Sequence, residues 1–197
     1  MTRLLLVRHG QSRWNAEGRI QGQADPPLTA LGEQQAADAV LRIEAQGPFA
    51  AVYASDLVRA HHTAEIVAAC LSLPVTLDAR LRERSWGEWE GLTRAEIDAG
   101  WPGDLDARRY PPGFETDPDV LVRARPALDA IVAAHDGAVL VVTHGGVVRT
   151  FERHLGADDA ILPNLGGQWL VHDGDGLGLG DRVVLVDASE LTRPREE

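Results

Sequence analysis

The chain has 197 residues, of which 44% are hydrophobic and 25% charged, a balance that supports one ordinary globular domain. Thirty acidic side chains against 19 basic ones give a formal net charge of −11, which argues against nucleic acid or an anionic membrane as a partner, because both favour a basic surface. No apolar run is long enough to cross a bilayer, and the first apolar stretch is too short for a secretory signal, so we expect a cytoplasmic protein.

The first predicted element is a buried strand at residues 4–7, where four apolar residues precede Arg8 and His9. A continuous apolar run is typical of a strand covered on both faces, as in a parallel sheet. A long polar loop is predicted next, at residues 10–27, and loops of this length inside a domain are usually functional.

Helices and strands then alternate along the chain. They are a helix at 29–46, a strand at 50–54, a helix at 57–71, a strand at 75–77, a short helix from 93, a long helix at 117–135, a strand at 139–142, a helix at 147–155 and closing strands at 168–171 and 183–186. This order predicts an α/β fold, a three-layer α/β/α sandwich whose mainly parallel sheet has one antiparallel edge element. We expect a single domain over 1–197, with an irregular excursion at about 100–117 over the sheet's edge and a frayed tail at 189–197.

Residues at four helix starts are predicted to cap them, and the first is Thr29, at the start of the helix of residues 29–46. Ser55 and Asp56 are placed to cap the second long helix, and Thr93 and Glu96 have the spacing of a capping box. Asp117 is predicted as the N-cap of the longest helix.

Charged side chains follow four of the predicted strands. Arg8 and His9 follow the first strand, Arg59 lies in the first turn of the helix after the second, Glu83 follows the third, and His144 follows the most apolar strand. Because the carboxyl ends of parallel strands meet at one edge, these side chains are expected to converge. Two arginines, two histidines and two helix N-termini around one space predict a site for a dianion such as phosphate.

Taken singly, each of these residues is typical of a solvated surface or a structural position. Their convergence at successive strand ends favours a site. The remaining histidines lack such placement and are predicted to be surface or packing residues: His61, His62, His135, His154 and His172. A metal site is rejected, because the arginines oppose a cation and no cluster has ligand spacing. Cys70, the single cysteine, excludes an intramolecular disulfide and is predicted to be a small core residue.

Four segments of the chain resemble the histidine phosphatase superfamily, in its phosphoglycerate mutase-like branch. They are Arg8-His9-Gly10-Gln11-Ser12 with Trp14-Asn15, 18–25 and Leu28-Thr29; Ser55-Asp56-Leu57 with Arg59-Ala60 and Thr63; Leu81-Arg82-Glu83 with Gly87 and Trp89-Glu90-Gly91; and Thr143-His144-Gly145-Gly146. The matches extend from residue 3 to about residue 150.

The resemblance implies a phosphoglycerate mutase-like fold and phosphoryl transfer through a phosphohistidine, without a metal or other cofactor. His9 is then the nucleophile, kept neutral by repulsion from Arg8 and Arg59, and Glu83 protonates the leaving alkoxide and later activates water, roles that require a raised carboxyl pKa. His144 is expected to be cationic once phosphate is bound. The implied phosphate-binding set is Arg8, Asn15, Gln21, Gly22, Arg59, Glu83, His144 and Gly145.

Three functions stay open on the sequence. A phosphomonoester hydrolase acting on a small phosphorylated metabolite is favoured, because the residues after Glu83 are more like the phosphatase members and the chain lacks a long basic insertion. A cofactor-dependent phosphoglycerate mutase and a non-catalytic phospho-ligand binding protein are the alternatives. Arg108 and Arg109 are placed to contact a second anionic group, which leaves a phosphoglycerate-type substrate open, including a glucosyl-phosphoglycerate. A homodimer is left open as well.

Overall fold

The computed structural model describes residues 1–158 and 160–187. Its six strands form one sheet in the order β3-β2-β4-β1-β5-β6, and their bounds are β1 Thr2–Arg8, β2 Phe49–Ala54, β3 Val75–Leu77, β4 Gly137–Thr143, β5 Gly166–His172 and β6 Leu177–Val184. The α-helices are α1 Arg13–Glu17, α2 Ala30–Asp38, α3 Val40–Glu44, α4 Val58–Leu71, α5 Arg94–Gly100, α6 Asp117–Ala134 and α7 Gly145–His154. Short 3-10 turns lie at Ala79–Leu81 and Gly87–Trp89.

Strand β1 lies inside the sheet, parallel to β4 on one side and antiparallel to β5 on the other. Its side chains alternate between the two faces, as the geometry of a strand requires. Leu5 and Val7 pack in the cluster that contains α4, whereas Leu4 and Leu6 pack in the cluster that contains α6 and α7. Helices therefore cover both faces, and the predicted mainly parallel sheet with an antiparallel edge, here the β5–β6 hairpin, is confirmed.

Two helical predictions change in detail. The loop predicted at 10–27 contains α1, because Ser12 accepts a hydrogen bond from the Asn15 backbone and the Asn15 side chain accepts one from the Ser12 backbone. Thr29 caps the next helix as predicted, but that helix divides into α2 and α3 at Ala39. Helix α1 therefore lies near the start of the predicted loop, and α2 begins shortly after its end.

Two predicted caps are wrong. Leu57 is the N-cap of α4 and makes no side-chain capping bond, because Asp56 pairs with Arg82 instead. Thr116 precedes α6 and shares a capping box with Asp119. The capping box of Thr93 and Glu96 is present as predicted.

Two further predictions need correction, and a third concerns residues outside the described ranges. Cys70 is exposed rather than buried, because it lies on the outward face of α4. The last strand begins at Leu177 and ends at Val184, whereas the sequence predicts it at 183–186. The predicted tail at 189–197 lies outside the described residues. Within the described ranges, no helix is both long and apolar enough to cross a membrane.

Candidate active site

The carboxyl ends of β1, β2 and β4 meet at one edge of the sheet. Arg8 pairs in parallel register with Thr143, and the last residue of β2, Ala54, pairs with Val142. The residues that follow β1 and β4 are therefore neighbours, and the rings of His9 and His144 lie edge to face with centroids 5.1 Å apart. The convergence expected from the strand order is present.

His9 is almost fully buried and presents an unprotonated ring nitrogen. Its Nδ1 lies 2.6 Å from the carbonyl oxygen of Gly10, which can only accept, so Nδ1 carries the proton. The Nε2 atom accepts a hydrogen bond of 3.2 Å from Nε of Arg59. The lone pair that a nucleophilic histidine needs is therefore on Nε2.

Burial is the main reason that His9 stays neutral. Desolvation lowers the pKa of His9 well below 6.5, and the charges of Arg59 and then Arg8 lower the pKa further. Repulsion by the arginines, which the sequence predicted as the cause, is real but comes second to burial.

The low pKa of His9 predicts how activity depends on pH. Because His9 stays unprotonated as the pH falls through 6.5, we expect no loss of kcat/KM centred near that value, once the ionisation of the substrate phosphate is taken into account. The check is a profile of kcat/KM against pH, supported by an NMR titration of the His9 ring. An inflection of the His9 ring signals near 6.5 would contradict the expectation.

Arg59 is held rigidly beside His9. It is fully buried, and its two terminal nitrogens donate to the carbonyl oxygens of Ala24 (2.7 Å) and Gly22 (2.8 Å). Burial lowers the pKa of Arg59 to about 10, so the guanidinium remains charged at neutral pH. Gly22 has a φ of +51° and approaches Glu90 so closely that a Cβ would overlap its carboxylate, which explains a glycine here.

Glu83 lies against the N-terminus of α7. Its Oε2 accepts a hydrogen bond of 3.0 Å from the backbone N–H of Gly146, and its Oε1 accepts one of 2.8 Å from the backbone N–H of Arg84. A Cβ on Gly146 would lie 2.2 Å from Oε1, so a side chain here would displace the carboxylate from this position. A half-buried carboxylate is thereby fixed at a helix end that favours negative charge.

His144 is fully buried beside His9. Its Nε2 lies 2.9 Å from the hydroxyl of Ser55, and its Nδ1 has no hydrogen-bond partner among the described residues. Burial, together with the charge of Arg59, lowers the pKa of His144 well below 6.5, so the ring is neutral in the ligand-free protein. That His144 becomes a cation when phosphate binds stays a prediction.

The predicted phosphate-binding residues divide into two groups. Arg8, Asn15, Gln21, Gly22, Glu83 and Gly145 line one cavity of about 770 Å³ with His9, whereas Arg59 and His144 are buried against His9 and do not line it. The side-chain oxygens of Asn15 and Gln21 both accept from Ser12, which leaves their amide nitrogens as donors.

The outer part of the cavity is basic and aromatic. Its lining includes Trp86, Tyr110, Phe114, Arg19, Arg84, Arg94, Arg108, Arg149 and Arg153. The excursion predicted at about 100–117 supplies one wall of this space. Arg108 lines the cavity as the prediction requires, but Arg109 does not, because it pairs with Asp104.

Arg84 and Arg153 share a single carboxylate, that of Asp117. Arg153 donates to both oxygens of Asp117, at 2.7 and 2.8 Å, and Arg84 donates to the same carboxylate and to Thr150. Although burial raises the pKa of Asp117, the hydrogen bonds from Arg153 and Arg84 hold it well below its ordinary range. Arg84 and Arg153 are thereby held side by side on one carboxylate at the wall of the cavity.

Sequence reasoning missed several residues of the site. Asn164 donates to the backbone carbonyl of His9 at 2.9 Å. No motif marks this residue, because the recognisable motifs end at about residue 150. The sequence places Ser55 and Asp117 at helix starts, and it does not show that they contact His144 and Arg153. Among the residues that the structure describes, no group of three or more His, Cys, Asp or Glu side chains is placed to hold a metal ion.

Comparisons with known proteins agree with this geometry. A family model described as the histidine phosphatase superfamily (branch 1) matches residues 4–166. Glucosyl-3-phosphoglycerate phosphatase of Mycolicibacterium vanbaalenii is 38% identical over 203 aligned residues, which cover 94% of this chain and 90% of that protein. Phosphoglycerate mutase-like protein 4 of Arabidopsis thaliana is 39% identical over 160 residues, with 76% and 70% covered. A solved structure of mycobacterial glucosyl-3-phosphoglycerate phosphatase with VO3 has a TM-score of 0.81 at 33% identity, with 90% and 96% covered.

Proposed function

We propose that this chain, which belongs to the histidine phosphatase superfamily, is a phosphatase that acts on a small phosphomonoester carrying a second anionic group. One observation carries the proposal: Nε2 of a buried neutral His9 faces Arg59, while the Glu83 carboxylate lies in the same cavity. A nucleophile, a cationic clamp and an acid–base group are the parts that covalent phosphoryl transfer needs.

In the first step, Nε2 of His9 attacks phosphorus and the bond between phosphorus and the ester oxygen breaks. The leaving alkoxide takes a proton from Glu83, which must be protonated at that moment. In the free protein, the Nε–H of Arg59 donates a hydrogen bond to Nε2 of His9. Once Nε2 bonds to phosphorus, this N–H is available to a phosphoryl oxygen. Arg8 and Arg59 offset the charge that other phosphoryl-transfer enzymes offset with metal ions.

In the second step, ionised Glu83 removes a proton from water as the water oxygen attacks phosphorus. The N–P bond breaks, inorganic phosphate leaves, and His9 and protonated Glu83 are restored. The backbone N–H of Gly146 holds the carboxyl group of Glu83 in place for the proton transfers of both steps.

The outer cavity supports a substrate with a carboxylate and a sugar ring. Arg84 and Arg153 line the cavity as donors for the carboxylate, and Trp86, Tyr110 and Phe114 form an aromatic surface for the ring. Relatives of this chain are named glucosyl-3-phosphoglycerate phosphatase, and such a substrate has both features. We therefore extend that substrate class to this chain.

Replacement of Arg153 by glutamine tests the substrate class. Rates are compared for glucosyl-3-phosphoglycerate, 3-phosphoglycerate and glycerol 3-phosphate, of which the last lacks the carboxylate. We expect the preference for the carboxylated esters, as a ratio of kcat/KM, to fall about tenfold or more, as for a lost charge-assisted hydrogen bond.

Arg109→Gln is the matched control, because Arg109 lies outside the cavity and pairs with Asp104. The control should keep the ratio of the wild-type enzyme. If Arg153→Gln leaves that ratio unchanged, the proposed carboxylate contact is wrong.

A mutase uses the same first step, and no feature of the cavity favours it over hydrolysis. Interconversion of phosphoglycerates that depends on a bisphosphorylated primer, at a rate above that of phosphate release, would replace the hydrolase proposal. A cytoplasmic location and a homodimer remain predictions from the sequence.

A further inference from the structure

Ser55 is a buried hydroxyl that the reaction described above does not use. It follows β2, has no exposed surface, and its backbone N–H donates to the carbonyl of Val142 in β4 at 3.0 Å. The hydroxyl is therefore fixed relative to His144, which follows the same strand. A polar group held so firmly beside a site residue calls for a chemical explanation.

The hydrogen bonds of the Ser55 hydroxyl assign its proton. The oxygen accepts from the backbone N–H of Leu57 at 3.3 Å and lies 2.9 Å from Nε2 of His144. The Leu57 N–H can only donate. Within the described ranges, Nε2 is thus the acceptor that lies within reach of the hydroxyl proton.

The tautomer of His144 follows from this bond. A neutral imidazole carries one proton, and if Nε2 accepts from Ser55, the proton must be on Nδ1. That Nδ1 is buried beside the His9 ring and makes no hydrogen bond to any described residue. A buried N–H without a partner is costly, and an incoming phosphoryl oxygen would satisfy it.

We propose that Ser55 is a positioning residue that fixes His144 as the Nδ1–H tautomer, so that a neutral N–H donor awaits the phosphoryl group at His9. The effect of this tautomer on catalysis rests on the proposed function. The assignment of the proton to Nδ1 is independent of that function. It concerns the ligand-free protein, whereas the expected cationic His144 belongs to the phosphate-bound state. In the ligand-free protein, a proton on Nε2 would leave the Ser55 hydroxyl without an acceptor among the described residues.

The tautomer is measured directly on the ligand-free wild-type protein. Long-range 15N–1H correlations of the imidazole rings, with His144 assigned by comparison with His144→Gln, distinguish a protonated from an unprotonated ring nitrogen. We expect Nδ1 of His144 to be protonated and Nε2 unprotonated at neutral pH. A protonated Nε2 would overturn the proposal, whether or not the protein hydrolyses any phosphate ester.

The catalytic consequence is tested with Ser55→Ala. We expect kcat to fall about 10- to 100-fold with little change in KM, by analogy with the loss of a hydrogen-bond partner that orients a metal-ligating histidine. In the same variant, the His144 ring signals should lose the wild-type pattern. Ser55→Thr, which keeps a hydroxyl, should recover both the tautomer and part of kcat.

Thr2→Val is the matched control, because Thr2 is also buried and donates its hydroxyl to a carbonyl, that of His135, at the opposite end of β1. It should lose stability without losing kcat or changing the His144 signals. If Ser55→Ala folds and keeps wild-type kcat and His144 signals, the proposal is wrong. If wild-type protein shows the expected tautomer but no phosphatase activity, the proposed function fails and the assignment of the proton stands.

Discussion

Replacement of His9 by alanine is expected to lower phosphate release by on the order of 10⁵-fold or more, since the residue that accepts the phosphoryl group is lost. The arginines, Glu83 and the cavity remain, so substrate binding should persist while turnover does not. The check is a rate assay of inorganic phosphate release together with a binding measurement for inorganic phosphate. Retention of activity within about tenfold of wild type would exclude His9 as the nucleophile.

The control for this variant is His62→Ala, which removes a half-exposed histidine from α4. It should keep wild-type rates. Because His9 is buried, its truncation also leaves a small cavity that costs stability, so thermal unfolding of the variant is measured alongside activity. His9→Asn, which keeps a polar group at the position, should be equally inactive if the loss is chemical.

Replacement of Glu83 by glutamine is expected to separate the two chemical steps. With an alkyl phosphate, kcat should fall about 10²- to 10⁴-fold, because the leaving alkoxide has lost its proton donor. With p-nitrophenyl phosphate, whose leaving group needs no proton, the first step should survive and the second should not. We expect a burst of nitrophenolate equal to the enzyme concentration, followed by slow turnover.

Glu88→Gln serves as the control, because Glu88 is an exposed carboxylate in the same loop that does not line the cavity. It should show neither the loss nor the burst. Equal effects of Glu83→Gln on both esters, without a burst, would contradict the role of Glu83 as the acid. They would point instead to a structural role through its bonds to Gly146 and Arg84.

The convergence of His9, Arg59, Glu83 and His144 could be predicted because it follows from strand order alone. Parallel strands bring their carboxyl ends to one edge, so a residue placed just after a strand has a known position before any side chain is seen. The α/β class followed from the same alternation, and the comparisons confirm both the fold class and the phosphatase class.

Other parts of the site depend on contacts that no local pattern encodes. Asn164 contacts His9 across 155 positions of sequence, and Ser55 contacts His144 across 89. The local sequence of Asp117 predicts a helix cap, but pairing with two arginines from distant segments takes precedence. Local propensity is a weak guide where a charged tertiary partner is close.

The causes of a pKa shift are equally hard to read from sequence. The sequence places Arg8 and Arg59 near His9 and so predicts repulsion, yet burial contributes more to the low pKa of His9. Burial depends on the whole arrangement of strands and loops around the ring. It becomes visible only when the fold is known.

If His9 carries the phosphoryl group during turnover, that group can be trapped on its ring. Glu83→Gln protein is mixed with p-nitrophenyl phosphate labelled in the phosphate, quenched in alkali and mapped by peptide analysis. We predict about one labelled phosphate per chain, stable in alkali, labile in acid and located on His9. Label on another residue, or no label during the burst, would contradict a phosphohistidine at His9.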